Sequence, residues 1–183
     1  SLAAGVVLAL SSTAIALHWL MAVMIIANFI LGVVMVDIPG LTPAKLRYFS
    51  WHKWAGVTIL LLATVRLLWR LKHPAPALPD TMPRWEKVAA NGSHLLLYVL
   101  LFAVPLSGYF YTLAAGVPVV YFGVLELPVL IGRDPELKEV LETVHFGLNL
   151  LLAATVAVHV LAALKHQFID RDSVLRRMLP ART

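Results

Sequence analysis

Four long apolar stretches constrain this chain more than any other feature of its sequence. They cover about residues 11–35, 51–71, 88–113 and 139–168 of 183. A bilayer interior offers no water to exposed peptide groups, so apolar stretches of this length must be helices. Because 60% of the residues are hydrophobic and 14% charged, the chain is far too apolar for a soluble domain. The sequence therefore predicts a single all-α domain over residues 1–183, an integral membrane four-helix bundle in contact with the lipid bilayer.

Two segments next to these stretches are also apolar. The residues LAAGVVLAL precede the first stretch, and we expect them to extend the first helix. The connection 114–138 contains VPVVYFGVLELPVLIG, which is too short and too interrupted to span, so we expect it to fold back toward the membrane. No alternating pattern typical of strands is visible.

Lys and Arg are distributed unequally between the two ends of the predicted helices. Residues 66–87 and 165–182 carry ten of the fifteen, and the opposite end carries five. The positive-inside rule then places both termini in the cytoplasm. The net charge of +5 is therefore a topology signal, and we expect no nucleic-acid partner.

Histidines lie at two depths in the predicted bundle. His145 and His159 are fourteen residues apart on one apolar helix, which places them within about 40° around the axis and about 21 Å along it. With the termini inside, an outer level contains His52 and His145. An inner level contains His18, His94 and His159.

Paired imidazoles on facing helices are typical ligands of six-coordinate haem iron. The chain has no cysteine, which excludes iron–sulfur clusters and thiolate ligands. Zinc is the rival metal, but it requires three or four ligands at one depth, and the outer level offers two. The pattern therefore favours two haem groups between the helices.

The histidines belong to motifs that together resemble one known family. These are ALHWL in the first stretch, WHKWAG leading into VRLLWRLKHP in the second, HLLLYVLLFAVPLSG in the third, and the His145 and His159 pair followed by His166 and VLRRMLP. From about residue 12 onward, the chain resembles the bacterial cytochrome b561 family.

The resemblance implies a multi-pass protein of the bacterial inner membrane that contains two haem b groups. It implies His52 and His145 as iron ligands of the outer haem, and His18 and His159 as those of the inner haem. The depths of the histidines alone leave His94 open as an alternative to His18. One family member is a superoxide oxidase, so the resemblance also implies electron transfer from superoxide at the outer face to ubiquinone toward the inner face.

Several other residues are candidates near these sites. Arg66 and Arg70 lie four residues apart near the inner end of the second helix, where they are either partners of haem propionates or snorkelling charges. His94 is either a partner of a propionate or neighbouring helix, or part of a quinone site. His166 is either a hydrogen-bond partner and proton donor to the quinone or an interfacial side chain. We expect His73 to be solvated.

Lys53 is the catalytic candidate of the outer face, because a cation beside His52 attracts a small anion such as superoxide. Lys45 and Arg47 lie a short way upstream and extend the same basic cluster.

Two alternative functions remain open at this point. The chain could carry electrons between a dehydrogenase or hydrogenase partner and the quinone pool. Its short loops offer little surface for a stable partner, although a transient redox partner could dock on the basic cluster. A histidine-lined metal transporter or a purely structural bundle would require a polar pathway. The predicted helices contain almost no carboxylates within the membrane.

Overall fold

The computed structural model describes residues 11–179, and four long helices contain most of them. They are α1 (Ser12–Asp37), α2 (Pro43–Lys72), α3 (Arg84–Ala114) and α4 (Pro135–Lys165). Each is long and apolar enough to cross a bilayer. The prediction of a helical membrane bundle is thereby confirmed. The expected extension of the first helix lies in residues 1–10, outside the described residues.

Three helices, α2, α3 and α4, begin earlier than the apolar stretches do, and capping side chains set the first turns of α2 and α4. The Thr42 hydroxyl accepts a hydrogen bond from the Lys45 amide at 3.2 Å, and Pro43 takes the first helical position. Asp134 accepts a bond from the Leu137 amide at 3.0 Å and is likewise followed by proline. Residues 43–50, 84–87 and 135–138, which were predicted to lie in connections, are helical.

The connection between α3 and α4 contains a short antiparallel hairpin, β1 (Val120–Tyr121) and β2 (Leu125–Glu126). Strands of two residues are too short to show an alternating pattern, so they were not predicted from the sequence. The Trp54 indole donates a hydrogen bond to the Val120 carbonyl at 2.8 Å, and the Thr58 and Tyr121 hydroxyls lie 2.5 Å apart. The hairpin therefore packs on the outer half of α2.

The inner end of α4 does not stop as a regular α-helix. A π-helical turn, His166–Asp170, follows it, and a 3₁₀ turn, Arg176–Met178, comes after that. The segment then returns beneath the bundle, because the Trp19 indole donates to the Met178 carbonyl at 2.6 Å. Residues 166–168, predicted as part of the fourth helix, thus adopt a wider helical turn.

An apolar layer separates the two histidine levels. Its buried side chains come from three helices, Met21 of α1, Ile59 and Ala63 of α2, and Leu101 of α3. The helices that pack most closely are α3 with α4, α1 with α2, and α2 with α3. α4 therefore faces α1 and α2 across a wider gap, and the histidines point into this gap from both sides.

Candidate functional site

His52 of α2 and His145 of α4 form a pair at the outer level. Their ring centroids lie 6.4 Å apart. When two imidazoles bind the same metal ion, each through a nitrogen about 2 Å from the metal, their ring centroids lie about 6 Å apart. The pair is therefore spaced to hold one metal ion between the rings.

Hydrogen bonds fix which nitrogen of each outer histidine is free. Nδ1 of His52 donates to the Asn28 carbonyl at 3.1 Å. Nδ1 of His145 donates to the Val104 carbonyl at 3.1 Å and to the Ser107 hydroxyl at 2.8 Å. A carbonyl can only accept, so Nδ1 carries the proton in both rings and Nε2 keeps its lone pair. This arrangement is typical of metal-binding histidines.

Two glycines make room for these rings. A Cβ atom added to Gly32 of α1 would lie 3.0 Å from Cε1 of His52, and one added to Gly108 of α3 would lie 2.9 Å from Cε1 of His145. Any larger residue would push the imidazole out of its position. Each outer histidine thus lies against a helix that approaches it through a glycine.

A cavity of about 600 Å³ adjoins the outer pair, and its walls are mostly apolar. It is lined by both histidines, by Asn28 and Gly108, and by Lys53. Cavities of this size and polarity hold medium-sized organic ligands. The donor set, two imidazoles with free Nε2 atoms over an apolar cavity, fits a haem.

The inner level brings three histidines together. The ring centroid of His159 lies 6.2 Å from that of His18 and 5.6 Å from that of His94. Both distances are compatible with a shared metal ion, so His94 stays open as an alternative partner. Within residues 11–179, the three rings do not bring their nitrogens together into one cluster of metal ligands. This disfavours zinc and leaves pairwise ligation.

Polar groups around the inner histidines fit an anionic group. Nη2 of Arg66 lies 3.4 Å from Nδ1 of His18, and its guanidinium lies over the ring of Tyr98, 5.6 Å from the ring centroid. The Tyr98 hydroxyl is buried without a hydrogen-bond partner among the described residues. A buried donor beside an arginine suits a carboxylate, and haem carries two as its propionates.

The remaining predicted residues lie around these levels. Arg70 is half-buried at the inner end of α2. His73 is exposed, and its ring stacks on that of Trp69 with the ring centroids 4.1 Å apart. Lys53 is half-buried at the outer cavity, whereas the Lys45 ammonium donates to the Ile38 carbonyl at the end of α1. Lys45 is therefore engaged in capping a helix.

His166 lies beyond the inner histidines, in the π-helical turn. Its Nδ1 is 2.7 Å from Asp172 Oδ2 and 3.2 Å from Asp170 Oδ2. The Lys165 ammonium lies 2.8 Å from Asp170 Oδ2 and 2.9 Å from Glu86 Oε1 of α3, so it connects the two carboxylates. This charged cluster was not predicted from the sequence.

Sequence reasoning also missed the residues that support the outer histidines. These are Asn28, Gly32, Val104, Ser107 and Gly108. A glycine within a long apolar helix often marks the close approach of another helix, and that signal was available for Gly32 and Gly108. The hydrogen bonds of Asn28 and Ser107 depend on the relative positions of two helices, which the sequence does not show.

Comparison with known proteins decides the family. The sequence profile of prokaryotic cytochrome b561 matches residues 9–181. The chain belongs to the prokaryotic cytochrome b561 family. The resemblance seen in the sequence is thus confirmed, and with it transmembrane electron transfer with b-type haem as the general function.

Individual cytochrome b561 relatives match over nearly their full length. The chain is 34% identical to cytochrome b561 homolog 2 of Escherichia coli (strain K12) over 165 residues, which cover 90% of this chain and 87% of that protein. It is 28% identical to the probable superoxide oxidase CybB of Yersinia pestis over 171 residues, 91% of this chain and 93% of the relative. Cytochrome b561 homolog 1 of Escherichia coli is 26% identical over 172 residues, 94% and 97% of the two chains.

Proposed function

We propose that this cytochrome b561 is a superoxide:quinone oxidoreductase of the bacterial inner membrane, with both termini in the cytoplasm. It takes electrons from superoxide at the outer face and delivers them to ubiquinone toward the inner face. The net reaction converts two superoxide ions, one ubiquinone and two protons into two molecules of oxygen and one ubiquinol. A relative is named a probable superoxide oxidase, which supports this choice of substrate.

The observation that carries the proposal is the presence of two histidine pairs at two depths, with an apolar layer between them. His52 and His145 would hold one haem b, and His18 and His159 a second one. Bound haem supplies one-electron redox chemistry, which amino acids alone do not. Arg66 and Tyr98 would hold the propionates of the inner haem, with Arg70 close by on the same helix.

Lys53 is the residue that we propose to attract superoxide. Its side chain lines the outer cavity that His52 and His145 adjoin. A positive charge in the wall of a cavity raises the local concentration of an anion and therefore its encounter rate. His94 and His166 lie toward the opposite face, and His166 is our candidate for binding the quinone oxygen and supplying a proton.

The test uses the purified dihaem protein in detergent, with a steady source of superoxide and a short-chain ubiquinone. We expect quinol to form well above the uncatalysed rate. Lys53→Gln should lower the rate at limiting superoxide several-fold at low salt, and less at high salt because ions screen the charge. Lys138→Gln, the same charge change at an ion-paired outer residue, is the matched control and should have a smaller effect. No acceleration by the parent protein would refute the proposed activity.

A further inference from the structure

The carboxylate of Asp172 contacts the imidazole of His166 and no other side chain among residues 11–179. Asp172 Oδ2 lies 2.7 Å from Nδ1 of His166, and the two side chains are 21% and 12% exposed. Asp170 also approaches His166, but its carboxylate is shared with the Lys165 ammonium at 2.8 Å. Asp172 is thus the carboxylate dedicated to the imidazole.

The backbone fixes Asp172 in this position. Its own amide donates to the His166 carbonyl at 3.1 Å, and its Oδ1 accepts a hydrogen bond from the Val174 amide at 2.9 Å. Arg171 adopts a left-handed conformation, with φ of 51°, immediately before it. This conformation is unfavourable for a residue with a side chain, yet it turns the chain so that Asp172 lies beside His166.

The turn that contains His166 is also tied to a neighbouring helix. The Lys165 ammonium lies 2.9 Å from Glu86 in the first turn of α3, so α3 and the π-helical turn are joined by an ion pair. The imidazole is therefore anchored on its Nδ1 side, and a carboxylate accepts the Nδ1 proton. Its second nitrogen, Nε2, is left for another partner.

We propose that Asp172 is a positioning residue for quinone reduction, which presents Nε2 of His166 to the quinone oxygen. This inference rests on the proposed function of His166. In the imidazolium form, the Nε2–H bond breaks as one quinone O–H bond forms, and water at the inner face returns the proton to Nε2. The other quinone oxygen takes the second proton from water at the inner face. The two electrons come from two superoxide ions. The Asp172 carboxylate balances the imidazolium charge, as the aspartate of a catalytic triad does for its histidine.

The experiment separates the two half-reactions in the haem-loaded protein. Superoxide first reduces the haem, and a short-chain ubiquinone then reoxidises it in a stopped-flow instrument. The absorbance of the haem reports both steps. In Asp172→Asn we expect an unchanged haem spectrum and unchanged reduction by superoxide, but reoxidation by quinone slower by about 10-fold or more, because the imidazole loses the carboxylate that orients it and balances its charge. Asp172→Glu should recover part of the rate. Asp80→Asn, an exposed carboxylate in the α2–α3 connection, should react like the parent.

A second readout does not depend on turnover. In protein labelled with ¹⁵N-histidine, the His166 signal, identified by its loss in His166→Gln, should report a protonated Nδ1 in the parent and a mixture of tautomers in Asp172→Asn.

Each outcome has a distinct meaning. If quinone reoxidises the parent and Asp172→Asn at the same rate, or if the tautomer is unchanged, the role of Asp172 is refuted while the proposed function stands. If quinone does not reoxidise even the parent, both are refuted. If Asp172→Asn does not assemble, the same two readouts on Asp172→Ser, which also removes the carboxylate, decide: a normal rate and an unchanged tautomer refute the role, and a slowed rate with a changed tautomer supports it.

Discussion

Two glycine positions control the orientation of the outer imidazoles. The rings of His52 and His145 occupy the space that a Cβ atom of Gly32 or Gly108 would take. Helix interiors tolerate most substitutions of glycine by alanine, and such changes often stabilise a helix. Here steric contact with the imidazole should outweigh the gain in helix propensity.

Gly108→Ala should therefore weaken the outer haem. A Cβ atom 2.9 Å from Cε1 of His145 forces the ring to rotate away from its bonds with Val104 and Ser107. We expect haem affinity at the outer site to fall by about 10-fold or more, as titration of the apoprotein with haem would measure. Gly147→Ala is the matched control, because nothing lies within 4 Å of its added Cβ atom. Equal haem loss in both variants would contradict the steric argument.

His145→Ala should remove the outer haem and keep the inner one. In the proposed arrangement the inner haem would take its ligands from His159 and from α1 or α3, and the apolar layer separates these histidines from the outer level. The haem content should fall from two to about one per chain. A loss of both haems would mean that the pairing is wrong or that the bundle depends on the outer haem.

At the scale of elements, the hairpin of the α3–α4 connection completes the outer half of the bundle. Val119 at its base is 3% exposed, and it lines the outer cavity. Polar contacts with Trp54 and Thr58 hold the hairpin on α2. The hairpin therefore forms part of the wall of the outer site.

Trp54→Phe should loosen this wall while preserving the aromatic contact with Phe122, whose ring centroid is 5.2 Å from that of Trp54. The change removes one hydrogen bond to a backbone carbonyl, which stabilises the fold by about 1 kcal/mol. We expect a modest decrease in thermal stability in detergent, and faster reduction of the outer haem by a hydrophilic reductant. If neither the melting temperature nor the reduction rate changes, the hairpin does not cover the site.

The sequence predicts the elements and the depths of the histidines better than the contacts between elements. Hydropathy locates four helices, and the helical period places His145 and His159 on one face at two levels. The support from Asn28 and Ser107 depends on how neighbouring helices are shifted along each other. The early start of α2 depends on capping, and the π-helical turn is closed by a backbone hydrogen bond from Arg171 to the His166 carbonyl, so hydropathy reveals neither.

At the scale of the whole molecule, the arrangement of charges predicts one orientation in the membrane. The chain contains no cysteine, so single cysteines can report on each face. Val124, at the tip of the hairpin, is 88% exposed, and Asp80 lies in the connection on the opposite side. A membrane-impermeant maleimide should label Val124→Cys in intact spheroplasts and Asp80→Cys only after the membrane is opened. The reverse pattern would contradict cytoplasmic termini.

The central claim is that one chain carries two haems, one above and one below an apolar layer. The most direct test is a pyridine haemochrome assay on the purified protein, with the haem concentration divided by the protein concentration from amino-acid analysis. The account predicts two haem b per chain. A ratio of one or zero in fully loaded protein would contradict it.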